Sequence, residues 1–217
     1  MKQLTNQLRI TEIFHSLQGE SVRVGLPSVF VRLTGCPLRC QYCDTAYAFK
    51  GGELMNMEHI LERIKSYGCE YVCVTGGEPL AQPNCIKLLK DLCDANLKVS
   101  IETSGALSIE EVDKRVMVVL DLKTPDSGEV DKNLLSNLKY LKPTDQIKFV
   151  ICSQNDYQWA CKMISEHHLS EIADVLFSPS FSQINPTLLA DWIVKDKIPV
   201  RFQLQLHKIL WNDSPGH

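Results

Sequence analysis

Two kinds of apolar pattern alternate along this chain. Short runs rich in β-branched and aromatic residues cover 28–34 (SVFVRLT), 71–75 (YVCVT), 98–102 (KVSIE), 116–122 (VMVVLDL), 146–152 (QIKFVIC), 174–177 (DVLF) and 200–206 (VRFQLQL), and each predicts a strand. Between them, apolar residues recur at helical spacing over 57–67, 84–95, 156–167 and 187–195. Asn56 is placed to cap the first of these helices, and Pro83 and Pro186 stand just ahead of the second and the last. Ser108 and Glu111 have capping-box spacing and predict one more helix start. Strands that alternate with helices pair in parallel, so the expected class is α/β. Several strands run into polar or glycine-rich residues, namely Thr75-Gly76-Gly77, Glu102-Thr103-Ser104-Gly105, Asp121-Leu122-Lys123 and Ser178-Pro179-Ser180. In parallel α/β folds ligands gather at the carboxyl ends of strands, so this shared edge is the expected site.

Composition narrows the class. A chain of 217 residues with 44% hydrophobic content supports one well-buried core, so 1–217 is expected to be a single domain. A net charge of −3 and the lack of a long basic run argue against direct nucleic-acid binding. The opening MKQLTNQLRI has no apolar core of an export signal, and no apolar run reaches membrane-spanning length. A cytoplasmic protein is expected, and its nine cysteines are then expected to be reduced thiols suited to metal or redox chemistry.

Three of those cysteines lie in the stretch GCPLRCQYCDT, as Cys36, Cys40 and Cys43, spaced C-x3-C-x2-C directly after the first long strand. Thiolates suit soft iron–sulfur and zinc sites. Three local thiolates can hold three irons of a [4Fe-4S] cube and leave the last open to a small molecule. The alternative is a zinc site completed by His15, His59, Cys69 or Cys73.

With Tyr42 just ahead of the third cysteine, the trio resembles the signature of the radical S-adenosylmethionine (SAM) superfamily, and Val74-Thr75-Gly76-Gly77-Glu78-Pro79 resembles its GGE segment. Five further segments resemble the 7-carboxy-7-deazaguanine synthase (QueE) family across residues 10–210: IFHSLQGE at 13–20, GLPSVFVRL at 25–33, CDT at 43–45, IETSG at 101–105 and LQLHK at 204–208. The resemblance implies a radical SAM core folded as an incomplete TIM-like barrel of parallel strands. It implies a carbon–nitrogen lyase that converts 6-carboxy-5,6,7,8-tetrahydropterin to 7-carboxy-7-deazaguanine by hydrogen abstraction, ring contraction and loss of ammonia, within queuosine biosynthesis and tRNA modification. Its implied cofactors are a [4Fe-4S] cluster on Cys36, Cys40 and Cys43, SAM, and Mg2+ on the Thr45 hydroxyl.

Residue by residue, the resemblance places Tyr42, the backbone at Gly77, the side chain of Glu78, Glu102, Ser104, Asp121, Leu122 and Lys123 against SAM, with Ser178–Phe181 as a looser match. It places Leu17, Gln18, Gly19, Glu20, Arg32 and Thr75 against the substrate, with Arg32 gripping its carboxylate. An electron donor such as flavodoxin and a homodimer are implied as partners. Ser21, Ser104 and the Asp121-Leu122 pair depart from the family pattern, so only Lys123 carries over cleanly from the last segment. Other small radical SAM enzymes, such as a glycyl-radical activase, share the cysteines and GGE, and a metal-binding scaffold without activity shares the cysteines alone.

The remaining prominent residues read as structural. Cys73, Cys85, Cys93 and the other single cysteines suit packing. His167 and His168 suit a helix end. Trp159 and Trp192 suit the core. His207, placed after the final strand, fits a pocket residue and a satisfied structural histidine equally.

Overall fold

The structure is a computed structural model and describes residues 6–181, 183–212, 214 and 216. Among them, nine strands form one open sheet in the order β3-β1-β2-β4-β5-β6-β7-β8-β9. From β2 (Pro27–Leu33) onward, through β4 (Tyr71–Gly76), β5 (Lys98–Thr103), β6 (Met117–Asp121), β7 (Gln146–Ile151), β8 (Asp174–Pro179) and β9 (Arg201–Phe202), each strand is parallel to its neighbour. The sheet is a partial barrel and does not close. On its other flank β1 (Gln7–Leu17) runs antiparallel to β2, and β3 (Glu53–Asn56) runs antiparallel to β1.

The principal helices are α1 (Met57–Ser66), α2 (Cys85–Asp94), α3 (Gln154–Glu166) and α5 (Pro186–Asp196), with short α4 (Leu169–Ile172) and α6 (Leu206–Trp211). Asn56 caps α1 by accepting from the His59 amide at 2.8 Å. Ser153 caps α3, and Pro186 occupies the first turn of α5.

Successive residues on a strand face opposite ways, and the parity is kept across the sheet. Val29, Val31, Leu33, Val72, Val74, Val99, Ile101, Val118, Leu120, Ile147, Phe149 and Ile151 belong to the buried core. The intervening positions Arg32, Thr75, Glu102, Asp121 and Lys148 therefore share the other face, the first four near the carboxyl ends of their strands and Lys148 in the middle of β7, and all five line one cavity. Registry reinforces this, with Arg32 opposite Thr75 and Asp121 opposite Lys148.

Three local expectations are corrected. The strand expected over 200–206 shortens to Arg201–Phe202: the Gln203 amide still bonds the Phe177 carbonyl of β8, but its side chain bonds the Ser21 backbone in both directions and the chain turns away into α6. His207 thus sits in a helix rather than after a strand. No helix starts at Ser108, whose hydroxyl accepts from the Glu110 amide at 3.2 Å while Asn137 takes the Ile109 amide. No described helix is long and apolar enough to cross a membrane.

Candidate active site

The cavity measures about 520 Å3, within the range of small-molecule sites. The loop after β2 carries Cys40 and Cys43 into its wall, while Cys36 sits beside the Gly76-Gly77 turn. Gly77 is required there: a Cβ would lie 2.3 Å from the Gly35 carbonyl oxygen and 2.8 Å from Cys36 Cβ. The glycine-rich turn after β4 is thus pressed against the cysteine loop, and the Gly77 and Glu78 amides bond back to Leu33 and Gly35 at 3.1 and 2.8 Å.

Glu78 departs from its expected role. Its side chain is fully buried and does not line the cavity. Its carboxylate accepts from Thr103 Oγ1 at 2.9 and 3.0 Å, from the Ser104 amide at 2.7 Å, from Ser104 Oγ at 2.5 Å and from the Leu80 amide at 3.0 Å. With every acceptor committed inside the protein, Glu78 ties the β4 turn to the end of β5 instead of offering oxygens to a ligand. Leu122 has its side chain in the core, and its amide bonds the Lys148 carbonyl at 2.9 Å, which leaves its carbonyl as the group that could meet SAM. Ser178 is buried outside the cavity, whereas Ser180 and Phe181 line it.

The other expected residues come together. Glu102 accepts from Gln18 Nε2 at 3.2 Å and from Thr75 Oγ1 at 3.1 Å, so it groups with residues expected at the substrate rather than with Ser104. Arg32 packs beside the rings of Phe14 and Tyr47, 5.9 and 5.8 Å from their centres. Its Nε bonds Glu12 at 2.7 Å, and its two terminal nitrogens have no partner among the described residues. Burial opposes the Arg32 charge, but Tyr47, Glu12 and Glu102 more than offset it and raise its pKa. Asp121 and Lys123 form a 3.1 Å ion pair, with the ammonium 5.7 Å from the Tyr42 ring centre. The Tyr42 hydroxyl is buried without a partner among the described residues. Leu17, Gly19 and Glu20 complete the wall beside Gln18, and the Gly19 carbonyl accepts from the Leu206 amide at 3.0 Å.

Thr45 follows Asp44 at the mouth of the cavity. Its hydroxyl donates to Asp44 Oδ1 at 2.8 Å, which keeps the oxygen's lone pairs available. The short turn Ala46–Phe49 follows it, with no side-chain cap from Thr45. Sequence reasoning did not single out Lys148, Asp44 or Lys208. Lys148 had a signal: a lysine flanked by apolar residues on both sides in a strand is costly unless its charge is paired.

These features have counterparts in known proteins. Residues 30–164 match the radical SAM superfamily. The chain is 44% identical over 213 residues to the 7-carboxy-7-deazaguanine synthase of Chlorobaculum tepidum, covering 96% of this chain and 97% of that one. The chain belongs to the 7-carboxy-7-deazaguanine synthase family. A second synthase of this family, from Koribacter versatilis, is 39% identical over 94% of this chain and 97% of its own. In fold, the chain resembles QueE from Escherichia coli, with a TM-score of 0.77 at 22% identity over 93% of this chain and 95% of that one. It also resembles Streptococcus suis SuiB bound to S-adenosylmethionine, with a TM-score of 0.57 at 19% identity over 79% and 45%.

As a radical SAM member of the synthase family, the chain is an enzyme that takes a [4Fe-4S] cluster and SAM, and its donor set fits them. All nine cysteines are free, including the trio. His15 packs on Tyr67, His59 lies in the first turn of α1 and the Cys69 thiol bonds the Pro27 carbonyl, so these zinc candidates are engaged elsewhere. Among the described residues no three His, Cys, Asp or Glu side chains are already gathered as a metal site. Burial pushes the Cys40 thiol up to about 11 and raises Cys36 as well, while the Lys123 ammonium works against both shifts. Both thiols hold their protons until metal displaces them.

Proposed function

We propose that the cavity binds 6-carboxy-5,6,7,8-tetrahydropterin with its carboxylate on Arg32 and its pyrimidinone edge on Gln18 and Glu102, for conversion to 7-carboxy-7-deazaguanine. The observation that carries this reading is Arg32. Glu12 and two aromatic rings fix the guanidinium, and its two terminal nitrogens have no partner among the described residues. Two parallel N–H groups on a rigid plane match a carboxylate bidentately. The carboxylate survives in the product, so this anchor holds from substrate to product.

Glu102 and Gln18 supply acceptors and donors suited to the amide-like edge of a pterin, and the Thr75 hydroxyl keeps Glu102 in place. The loop of Cys36, Cys40 and Cys43 holds the cluster. Tyr42, Gly77, Ser104, Asp121 and Lys123 form the wall for SAM, where the Gly77 carbonyl, the buried Tyr42 hydroxyl and the Asp121 carboxylate are the available polar groups. Bound there, cluster and SAM supply the one-electron chemistry that removes hydrogen from C6 of the substrate. Thr45 offers its hydroxyl oxygen to Mg2+, whose remaining ligands are water and substrate oxygens.

The same reading includes a homodimer, a flavodoxin-type electron donor and a cytoplasmic setting in which the thiols stay reduced. Support for a dimer comes from apolar side chains left exposed on α5 and α6, among them Val194 at 76% and Ile209 at 60%.

Anaerobic turnover with reconstituted protein, dithionite, SAM, Mg2+ and the carboxypterin tests the function. The expected result is 7-carboxy-7-deazaguanine with release of ammonia. SAM cleavage without any deazaguanine product would sink the reading.

A further inference from the structure

We propose that Lys148 is a positioning residue for substrate recognition: paired with Glu20 inside the cavity, it keeps that carboxylate charged and leaves one of its oxygens for an N–H donor of the bound pterin. The inference rests on the substrate reading above and assigns a role to a residue which that reading leaves idle.

Lys148 lies in the middle of β7 on the cavity face, with Ile147 and Phe149 buried in the core on either side. Its ammonium forms an ion pair and hydrogen bond with Glu20 Oε2. The two side chains are only 12% and 10% exposed. A buried pair of this kind gains little for stability over well-packed apolar residues, so a buried pair at a ligand cavity calls for another reason. The second oxygen supplies one. Glu20 Oε1 is buried and makes no well-aligned hydrogen bond among the described residues, although the Gln205 side chain approaches the carboxylate. Buried carboxylate oxygens are seldom left unpaired, and one on a cavity wall is suited to accept from a ligand.

A tetrahydropterin offers several donors, including its 2-amino group and ring N–H groups. A charged acceptor makes a hydrogen bond roughly twice as strong as a neutral one. The charge depends on the neighbours. Burial pushes the Glu20 carboxyl up, yet the Lys148 ammonium, with Gln205 and His207 of the C-terminal segment, brings it below its ordinary value. Burial likewise opposes the Lys148 charge, and Glu20, Asp121 of β6 and Glu102 of β5 restore and raise it. Without Lys148, burial controls Glu20 and the carboxyl takes up a proton at a higher pH than before. A protonated Glu20 is a weaker acceptor, so substrate binding weakens at low pH and recovers as pH rises.

Calorimetric titration of the carboxypterin into cluster-loaded protein with SAM and Mg2+, without reductant, tests this between pH 6 and 9. Wild type, Lys148→Met, Lys148→Arg and the double variant Glu20→Gln/Lys148→Met are compared. Lys148→Met is expected to bind pterin at least tenfold more weakly at pH 6.5 and to regain affinity toward pH 9. Lys148→Arg should stay within about threefold of wild type with a wild-type pH profile. The double variant should bind weakly at every pH, and its profile accounts for titration of His207 and of the pterin itself. SAM affinity should change less than twofold throughout. Unchanged pterin affinity in Lys148→Met, weakening that matches the double variant's pH profile, or an equal loss of SAM affinity would each overturn the proposal. If Lys148→Met does not fold, the double variant, which leaves no lone buried charge, decides: wild-type pterin affinity there overturns the proposal, and a tenfold loss with SAM binding intact supports it. Failure of wild type to bind the pterin would instead overturn the substrate reading, and this inference with it.

Discussion

Asp44 and Lys208 form a 2.8 Å ion pair between the end of the cysteine loop and α6, and the Lys208 ammonium also lies 5.2 Å from the Phe181 ring centre. Asp44 thereby holds Thr45 with one oxygen and the C-terminal helix with the other. Lys208→Met keeps the stem and removes the charge. The Asp44 side chain is 41% exposed, so the expected loss of global stability is small, about 0.2–1 kcal/mol. The local effect should be larger: amide hydrogen exchange should speed up in α6 and leave β4–β7 unchanged. Uniform exchange across the chain would count against the tie.

Arg32→Lys should raise KM for the carboxypterin about tenfold or more, because a point charge replaces a planar fork. Iron content and SAM affinity should stay at wild-type levels. Steady-state kinetics alongside iron analysis checks this, and an unchanged KM would remove Arg32 from the substrate carboxylate.

Gly77→Ala should fail at the cluster before it fails at SAM. The added methyl meets the Gly35 carbonyl and Cys36 Cβ, so the cysteine loop must shift, at a cost of about 1–3 kcal/mol. Reconstituted protein should hold less iron per chain and melt lower. A full cluster complement would show that the turn can move aside.

Glu78→Gln should destabilise the fold by about 2–3 kcal/mol, since a buried carboxylate that accepts from Leu80, Thr103 and Ser104 becomes an amide that also presents donors to them. Denaturant unfolding of the apo protein measures this without reference to SAM. A stable variant with weakened SAM binding would restore the ligand role expected from the motif.

Glu78 marks the limit of what the sequence conveyed. The GGE pattern located the turn correctly, but the use of the carboxylate depends on Thr103 and Ser104, which arrive from another strand. The strands β2, β4, β5, β6, β7 and β8 were legible because parallel strands covered by helices read as short apolar runs. β1 was not, because QLRITEIFHSL carries Arg9, Glu12 and His15 among its apolar residues and a bulge interrupts its register. The alternating VRFQLQL looked like a long strand, yet the last bond to β8 is that of the Gln203 amide to the Phe177 carbonyl, the Gln203 side chain is engaged with Ser21, and the chain then turns into α6. Arg32, Thr75, Glu102, Cys40 and Cys43, which the motifs named, line the cavity, while Lys148 stands in no motif and its partner Glu20 is brought to it only by the fold.

His207 gives the protein a pH signature. Burial lowers its pKa, with Lys208 adding to the effect, while Glu20, Asp44 and Glu102 partly oppose it. The unfolded chain then binds the proton first, so stability is full above the ordinary histidine value of about 6.5 and falls as pH drops below it. His207→Gln should flatten that part of the curve of melting temperature against pH. Parallel curves for wild type and variant would show that His207 titrates as it does in the unfolded chain.

The two hydrogen bonds between Ser21 and Gln203, with that from the Leu206 amide to the Gly19 carbonyl, also set an order of events during synthesis. The glycine turn and the Glu78 staple use residues from the first half of the chain and can assemble as it leaves the ribosome, whereas the cysteine loop also bonds Ser127, Glu129 and, through Asp44, Lys208. The pterin wall cannot, because the segment around Gly19 waits for partners made almost last. A nascent chain can therefore lock its glycine turn well before the segment around Gly19 and the end of the cysteine loop are held by the C-terminal residues.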